Sequence, residues 1–353
     1  MKRLKVIQVA TGAVGTHSLR AILGRKDFEL AGLLVFSSDK VGKHAGEFVG
    51  GPAVGIRATD NFDEILATDA DAVAFNALGD TLDPAAAFDQ ICRLLESGKN
   101  VCSTSLSALV YPPIMDRHAM NERLQAACQK GGVSFHGTGV NPGFMMDVWP
   151  IVLGRLVRHI DTIYMTEMVD MSRYTSKQIL TVLGYGKRPE EMSFELPLEH
   201  ARESAYFGSI AMLAQAAGLE IDDATLTWEG FASNEAIATP AIQVERGHVG
   251  AVRVRLRAFK DKKMCIESQM LWTLGKDAAP ADWPYGDGSW SIKIEGDPCI
   301  ETRIDTSTRL DARQPDVLMT GAHAVNAIPA VVAGPIGVLT HLDLPLFTGT
   351  FSA

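Results

Sequence analysis

The stretch that most constrains this chain is its beginning. Lys5 to Ala10 (KVIQVA) is a short, apolar, β-branched run, which reads as a strand buried on both faces. Thr11-Gly12-Ala13-Val14-Gly15 follows at once, and a helix-like stretch runs from Ser18 to Leu23. A strand, a glycine-bearing turn and a helix N-terminus, in that order, can present main-chain N–H groups to a diphosphate, because small residues let the backbone approach closely. The spacing is Ala10-x-Gly12-x-x-Gly15, with alanine at the first position of the full dinucleotide fingerprint. Thr11, Gly12, Ala13, Val14 and Gly15 are therefore candidate cofactor-binding residues, although a plain turn between strand and helix would use the same glycines.

The same alternation continues behind that turn. Apolar runs at Leu30 to Phe36, Ala72 to Phe75, Asn100 to Ser103 and Val133 to His136 read as strands, and Pro84 to Ser97 and Met115 to Lys130 read as helices. Short buried strands alternating with helices imply an α/β fold with a doubly wound parallel sheet. After about residue 150 the texture changes. Gly250 to Phe259 alternates apolar and polar residues at period two, as a strand with one wet face does. A second α+β domain with a mixed or antiparallel sheet follows, interrupted by helices at Ser176 to Leu183 and Ala205 to Ala217. An apolar stretch from Gln314 to Leu339 reads as a helix from Asp316 to about Ile328, with Pro329 inside or just past it and Gly334-Pro335 breaking the pattern. A length of 353 residues also favours two domains over one.

Composition excludes several functions. Thirty-three Lys and Arg against forty-two Asp and Glu give a net charge of -9 with no basic block, so nucleic acid is not an expected partner. No stretch approaches a membrane span, and the opening residues lack the features of a cleaved leader, so no membrane partner and a cytoplasmic protein are expected. The five cysteines, Cys92, Cys102, Cys128, Cys265 and Cys299, form no CxxC pair and read as reduced thiols. The nine histidines are scattered and show no HxxxH spacing, so no metal is expected.

Further candidates sit at strand ends. The second strand closes on Phe36-Ser37-Ser38-Asp39-Lys40. An acidic residue there would hold the ribose hydroxyls of NAD, whereas hydroxyls and a cation suit the phosphate of NADP. Ser37, Ser38 and Lys40 thus favour NADP(H), with Asp39 placed late for a ribose ligand and NAD(H) left possible; a turn with a solvated lysine is the alternative. Asn76 and Thr104, just past the third and fourth strands, are further cofactor-binding candidates. The loop His136-Gly137-Thr138-Gly139-Val140-Asn141-Pro142-Gly143-Phe144 follows the fifth strand. Asn141 can bond a carboxamide, with Pro142 and Gly143 beside it, while an ordinary interdomain turn would use the same residues. Phe144, Trp149, Met168 and Met171, with Met145 and Met146, offer an apolar lining for a hydrophobic substrate, though methionines at such spacings more often serve a core. A free histidine titrates near the working pH, so His323 is a candidate proton donor, against the commoner case of a structural histidine in an apolar helix.

Several motifs in order carry a resemblance. VATGAVG, LLVFSSDKVGKHAGEFVG, NVCSTSLSALVYPP, GTGVNPGF, the Asp282-Trp283-Pro284 region with IEGDP, and GAHAVNAIPAVVAGPIGVLTHLDLP together resemble the dihydrodipicolinate-reductase-like family. That family contains 2,4-diaminopentanoate dehydrogenase and the native amine dehydrogenases, and the likeness runs from Lys5 to Pro345. The resemblance implies a dinucleotide-binding Rossmann domain at 1–147 completed by 314–353, with the C-terminal helix returning to it. It also implies a substrate-binding and dimerisation domain at 148–313, a homodimer, and hydride transfer between NAD(P)H and a carbonyl or imine carbon of a small molecule. Tyr174, in Ser172-Arg173-Tyr174-Thr175-Ser176-Lys177, falls in the part of the family that faces the nicotinamide and is the second catalytic candidate beside His323. Its spacing to Lys177 is Tyr-x-x-Lys, unlike the Tyr-x-x-x-Lys of short-chain dehydrogenases.

One departure bears on the chemistry. Amine-forming members carry a glutamate after the strand corresponding to Asn100 to Ser103, whereas this segment, Ser103 to Tyr111, contains no carboxylate. The expectation is an NAD(P)H-dependent oxidoreductase acting on a ketone, aldehyde or imine. The alternatives are an amine dehydrogenase using another carboxylate such as Glu167, with Asp170 nearby, and a catalytically silent dinucleotide sensor.

Overall fold

A computed structural model describes residues 3–79, 83–114, 120–309 and 315–351. The chain divides into two units, Met1–Gly143 with Val317–Ala353, and Phe144–Asp316. The sequence had placed these breaks after residue 147 and before residue 314.

The first unit opens with β1 (Leu4–Val9), α1 (Ala13–Gly24), β2 (Phe28–Leu34), α2 (Phe62–Ala67), β3 (Ala72–Phe75), α3 (Pro84–Glu96), β4 (Asn100–Ser103), α4 (Met120–Gly131) and β5 (Ser134–Gly137). Strand β2 starts and stops two residues earlier than its apolar run, because Leu4 pairs with Phe28 and fixes the register. Phe36 is thereby left past the strand end, 57% exposed. Helix α3 follows its sequence signals: Pro84 sits in the first turn, Asp83 accepts a hydrogen bond from the Ala86 N–H, and Ala87, Ile91, Leu94 and Leu95 face the core. Helix α2, which periodicity did not reveal, has only six residues and is capped by Asn61. The expected start of α4 at Met115 lies outside the described residues.

The second unit contains α5 (Val148–Gly154), β6 (His159–Asp170), α6 (Lys177–Leu183), β7 (Phe194–Pro197), α7 (Leu198–Ala201), α8 (Ala205–Ala217), β8 (Asp223–Ala232), β9 (Ile237–Ala238), β10 (Gln243–Val244), β11 (Val249–Lys260), β12 (Lys263–Thr273), β13 (Ser289–Asp297) and β14 (Ile300–Asp305). Seven strands form one sheet in the order β14-β13-β6-β12-β11-β8-β7. Only β6 and β12 run parallel, so the sheet is mixed. The alternation of β11 is realised: Val252, Val254, Leu256 and Ala258 are fully buried, while Arg253, Arg255 and Arg257 take the other face and pair with Glu229 and Glu267.

The chain then re-enters the first unit through α9 (Pro315–Val332) and β15 (Gly337–Leu339). The helix runs past Ile328 and through Pro329 because its apolar face does not end there. Val325, Ala327, Ile328 and Val331 pack with Val6, Ile22, Phe28, Ala72 and Cys102, and that burial outweighs one missing donor. The finished sheet is fully parallel in the order β15-β5-β4-β3-β1-β2. From β1 the chain goes to β2 on one side and to β3 on the other. That reversal places a crevice beyond the carboxyl ends of β1 and β3, where open α/β sheets take ligands.

Candidate functional site

The crevice is a cavity of about 380 Å³ in the first unit, with Thr11 and Gly12 on one side and Asn76 and Gly79 on the other. Helix α1 starts here on Gly12 without any side-chain cap, so its first N–H groups have no partner within the helix. A Cβ on Gly12 would meet no protein atom within 4 Å, so this backbone faces open space. A Cβ on Gly15 would lie 2.3 Å from the Ala10 carbonyl oxygen, so that glycine is required by the protein's own packing. Ala10 adopts φ +70°, the left-handed region, and the Thr11 hydroxyl is buried without a partner. An uncapped helix start, a backbone with nothing in front of it and an unspent hydroxyl fit a diphosphate.

At the end of β2 the chain makes a tight turn over Ser38–Lys40. Ser37 and Lys40 line the crevice; Ser38 does not. The Lys40 ammonium donates to the Thr11 carbonyl at 3.1 Å and so bridges the two turns. The Ser37 hydroxyl donates to the Asp39 carboxylate, and that bond, with Lys43 and Lys40 nearby, holds Asp39 below the usual carboxylate range. Phe36, Leu78, Ala86 and Ala87 give the same cavity apolar lining, with Gln90 beside them.

Beneath the crevice runs a polar chain. The Gln8 side-chain amide donates to the Asn76 Oδ1 at 2.9 Å, and the Asn76 amide donates to the Thr104 Oγ1 at 2.8 Å. Asn76 and Thr104 are thereby joined, with Asn76 at the crevice wall. Gln8 escaped the sequence reading; its signal was a lone amide inside an otherwise apolar strand.

Asn141, Pro142 and Gly143 follow β5. The loop folds back on itself: Gly143 takes φ +127°, and a Cβ there would lie 2.2 Å from the Gly139 nitrogen. His323 holds this loop. Its Nδ1 lies 2.9 Å from the Gly139 carbonyl oxygen and 3.1 Å from the Thr138 Oγ1, and since a carbonyl only accepts, Nδ1 carries the hydrogen. The Thr138 hydroxyl in turn lies 3.0 Å from Nε2 of His341. His341 stacks on His323 at 5.4 Å and meets His136 edge-on at 4.5 Å, and His136 donates from Nδ1 to the Leu339 carbonyl. Burial lowers all three imidazoles, His136 to about 4 and His341 well below its ordinary value. Among the described residues no group of His, Cys, Asp or Glu is arranged to hold a metal ion.

The remaining sequence candidates lie in the second unit. Phe144 and Trp149 stack at 6.4 Å. Met168 is buried on β6 with its sulfur 3.8 Å from an Arg303 nitrogen, and Met171 is buried in the turn that follows. The Tyr174 hydroxyl donates to Asp316 at 2.7 Å. Burial, then the charges of Asp316 and Glu167, push its pKa well above the ordinary phenol value. Its one hydrogen is therefore retained and directed at a carboxylate. Glu167 is 6% exposed on the apolar side of β6, and its two oxygens accept the indole N–H groups of Trp272 at 2.8 Å and Trp290 at 2.9 Å. Asp170 accepts from Tyr285 and from the Ser172 and Gly275 amides. Cys92 and Cys128 are buried thiols pushed up to about 11 and about 12, too high for nucleophilic duty.

Residues 144–352 match the family described as 2,4-diaminopentanoate dehydrogenase C-terminal domain. The chain belongs to this family. An amine dehydrogenase of Streptomyces virginiae is 30% identical to it over 346 residues, covering 95% of this chain and 94% of the relative. A 2,4-diaminopentanoate dehydrogenase of Acetoanaerobium sticklandii is 23% identical over 368 residues, covering 98% and 94%. Family membership makes the protein an oxidoreductase of the dehydrogenase class. The solved amine dehydrogenase of Mycobacterium smegmatis has the same fold, with a TM-score of 0.77 at 21% identity over 98% of this chain and 97% of that one.

Proposed function

We propose that this dehydrogenase passes a hydride between NAD(P)H and a carbonyl or imine carbon of a hydrophobic small molecule. The observation that carries the reading is the uncapped start of α1, open to the crevice and flanked by the unpartnered Thr11 hydroxyl. Thr11, Gly12, Ala13, Val14 and Gly15 would hold the diphosphate through main-chain donors. Phe36, Leu78, Ala86 and Ala87 would wall the adenine, and Ser37 and Lys40 would face the adenosine ribose. A cation and a hydroxyl at that point, with the nearby Asp39 already engaged by Ser37, support NADP(H) over NAD(H). Asn141, Pro142 and Gly143, in a loop pinned by His323, would orient the nicotinamide ring, which when bound supplies or takes up the hydride.

The proton has fewer candidates. Ser103 to Tyr111 holds no carboxylate, Tyr174 is tied to Asp316, and His323 gives its Nδ1 hydrogen to Gly139. A second reading, reductive amination, is favoured by the names of the relatives, although Glu167, the carboxylate the sequence offered for it, already accepts from the Trp272 and Trp290 indoles. Loss of turnover altogether would leave a dinucleotide sensor. Substrate binding and association into a homodimer are assigned to the second unit.

Fluorescence titration with NADPH and NADH tests the cofactor, and micromolar binding with NADPH ahead is expected. No binding of either removes the reading. Ketone reduction with and without ammonium then decides the chemistry, since a rate that requires ammonium selects the amine reading. Sedimentation reads the dimer.

A further inference from the structure

The turn at the crevice contains a backbone conformation that its residue does not favour. Ala10 is an alanine at φ +70°, where a side chain crowds its own carbonyl and where glycine is the ordinary occupant. Something in the surroundings must hold it there. The Ala10 carbonyl oxygen is packed against the Cα of Gly15, where an added Cβ would clash at 2.3 Å. It also accepts a hydrogen bond of 2.8 Å from the Gln8 Nε2. The same Nε2 lies 2.8 Å from the Val9 carbonyl and 2.9 Å from the Asn76 Oδ1. Two of those three neighbours are carbonyls, so the orientation of the amide is settled: nitrogen toward the turn. Gln8 has 0% exposure, so it meets no ligand.

We infer that Gln8 is a positioning residue for the dinucleotide, holding Ala10 left-handed from beneath so that Thr11 and Gly12 present their main chain to the crevice. It also fixes the Asn76 carboxamide at the opposite wall, because that side chain receives the Gln8 hydrogen and passes its own to Thr104. With alanine at the fingerprint's first glycine position, the chain replaces backbone freedom with a buried donor. Without Gln8, Ala10 relaxes to negative φ, its carbonyl leaves Gly15, and the start of α1 moves away from its ligand. The inference rests on the dinucleotide reading for its functional half; the brace itself does not depend on a bound cofactor.

A double-mutant cycle between Gln8→Met and Ala10→Gly tests both halves. Glycine takes φ +70° unaided, so A10G should make Gln8 dispensable to the turn. In the parent, Q8M should weaken NADPH binding roughly tenfold, equivalent to about 1.4 kcal/mol. In the A10G background the loss should shrink to about twofold, a rescue that a general packing defect would not give. Thermal unfolding without cofactor should fall by roughly 4 °C for Q8M alone and by about half that beside A10G. Equal unfolding shifts in both backgrounds overturn the brace. Unequal shifts with unchanged NADPH affinity overturn the positioning role. If the parent binds no dinucleotide while the unfolding cycle still shows coupling, the brace stands and the cofactor reading falls.

Discussion

Acid should loosen the first unit at one identifiable place. His136 is completely buried on β5, donates from Nδ1 to the Leu339 carbonyl on β15, and leaves Nε2 without a partner. Burial, helped by the neighbouring His323, holds its pKa down at about 4 against the ordinary 6.5, although the Leu339 bond and Asp343 pull the other way. The unfolded chain therefore binds a proton that the folded chain refuses. Stability carries no penalty from this group above pH 6.5, declines as pH falls toward 4, and stays at that lowered level below it. The interval from 6.5 to about 4, at about 1.36 kcal/mol per pH unit, is worth roughly 3 kcal/mol. His341 and His323 are lowered too and add loss of the same sign. His136→Asn keeps a donor for Leu339 and removes the titration. The variant should start about 1–2 kcal/mol less stable at neutral pH, from the lost ring contact with His341, and then fall more shallowly in acid. All five tryptophans lie in the second unit, so fluorescence would miss this transition. Hydrogen exchange of β5 and β15 peptides in urea, at half-unit steps from pH 7 to pH 4, reads it directly. Parent and variant losing stability equally over that range would refute the reasoning.

Gly15→Ala and Gly12→Ala should separate folding from binding. The first forces a Cβ against the Ala10 carbonyl and should cost about 2–4 kcal/mol of stability together with cofactor binding, while the second points into open space and should weaken binding alone; thermal unfolding and NADPH titration of each variant check this. Lys40→Ala should raise the Kd for NADPH roughly tenfold, about 1.4 kcal/mol, and that for NADH by less than about twofold; equal losses would remove Lys40 from phosphate recognition. Glu167→Gln turns one acceptor oxygen into an amide facing an indole N–H, and should destabilise the second unit by about 2–4 kcal/mol in urea unfolding followed by tryptophan fluorescence.

The fold was more legible than the site. Strands β3 and β4 and helix α8 begin and end where their apolar runs do, since a strand buried on both faces leaves no other signal to compete. Errors fell where tertiary pairing set the limits. The register of β1 against β2 pulled the second strand back to Phe28, and packing against Val6 and Phe28 carried α9 through Pro329. Strand β15, with three residues, has too little length for periodicity and exists because β5 offers it an edge. Glycines could be read in advance only as small residues. That Gly15 is sterically obligatory and Gly12 is not depends on where the Ala10 carbonyl points, which sequence does not express.

Ionisable residues were the hardest to judge, for a physical reason. A sequence displays which groups can carry a proton, whereas chemistry depends on whether that proton is already engaged. Tyr174 is a plausible donor until Asp316 is found 2.7 Å from its hydroxyl, and His323 until the Gly139 carbonyl is found 2.9 Å from its Nδ1. Both partners are remote in sequence, 142 and 184 positions away, so no local pattern could have exposed them. Gln8 was hidden in the opposite direction: inside KVIQVA it reads as an interruption of a buried strand, yet its amide nitrogen meets three acceptors, the neighbouring Val9 and Ala10 carbonyls and the remote Asn76 Oδ1. A buried polar side chain is expensive, the more so here because the Gln8 Oε1 has no partner, so its place in a central strand marks a constraint elsewhere in the fold. Here that constraint is the turn on which the proposed cofactor would rest.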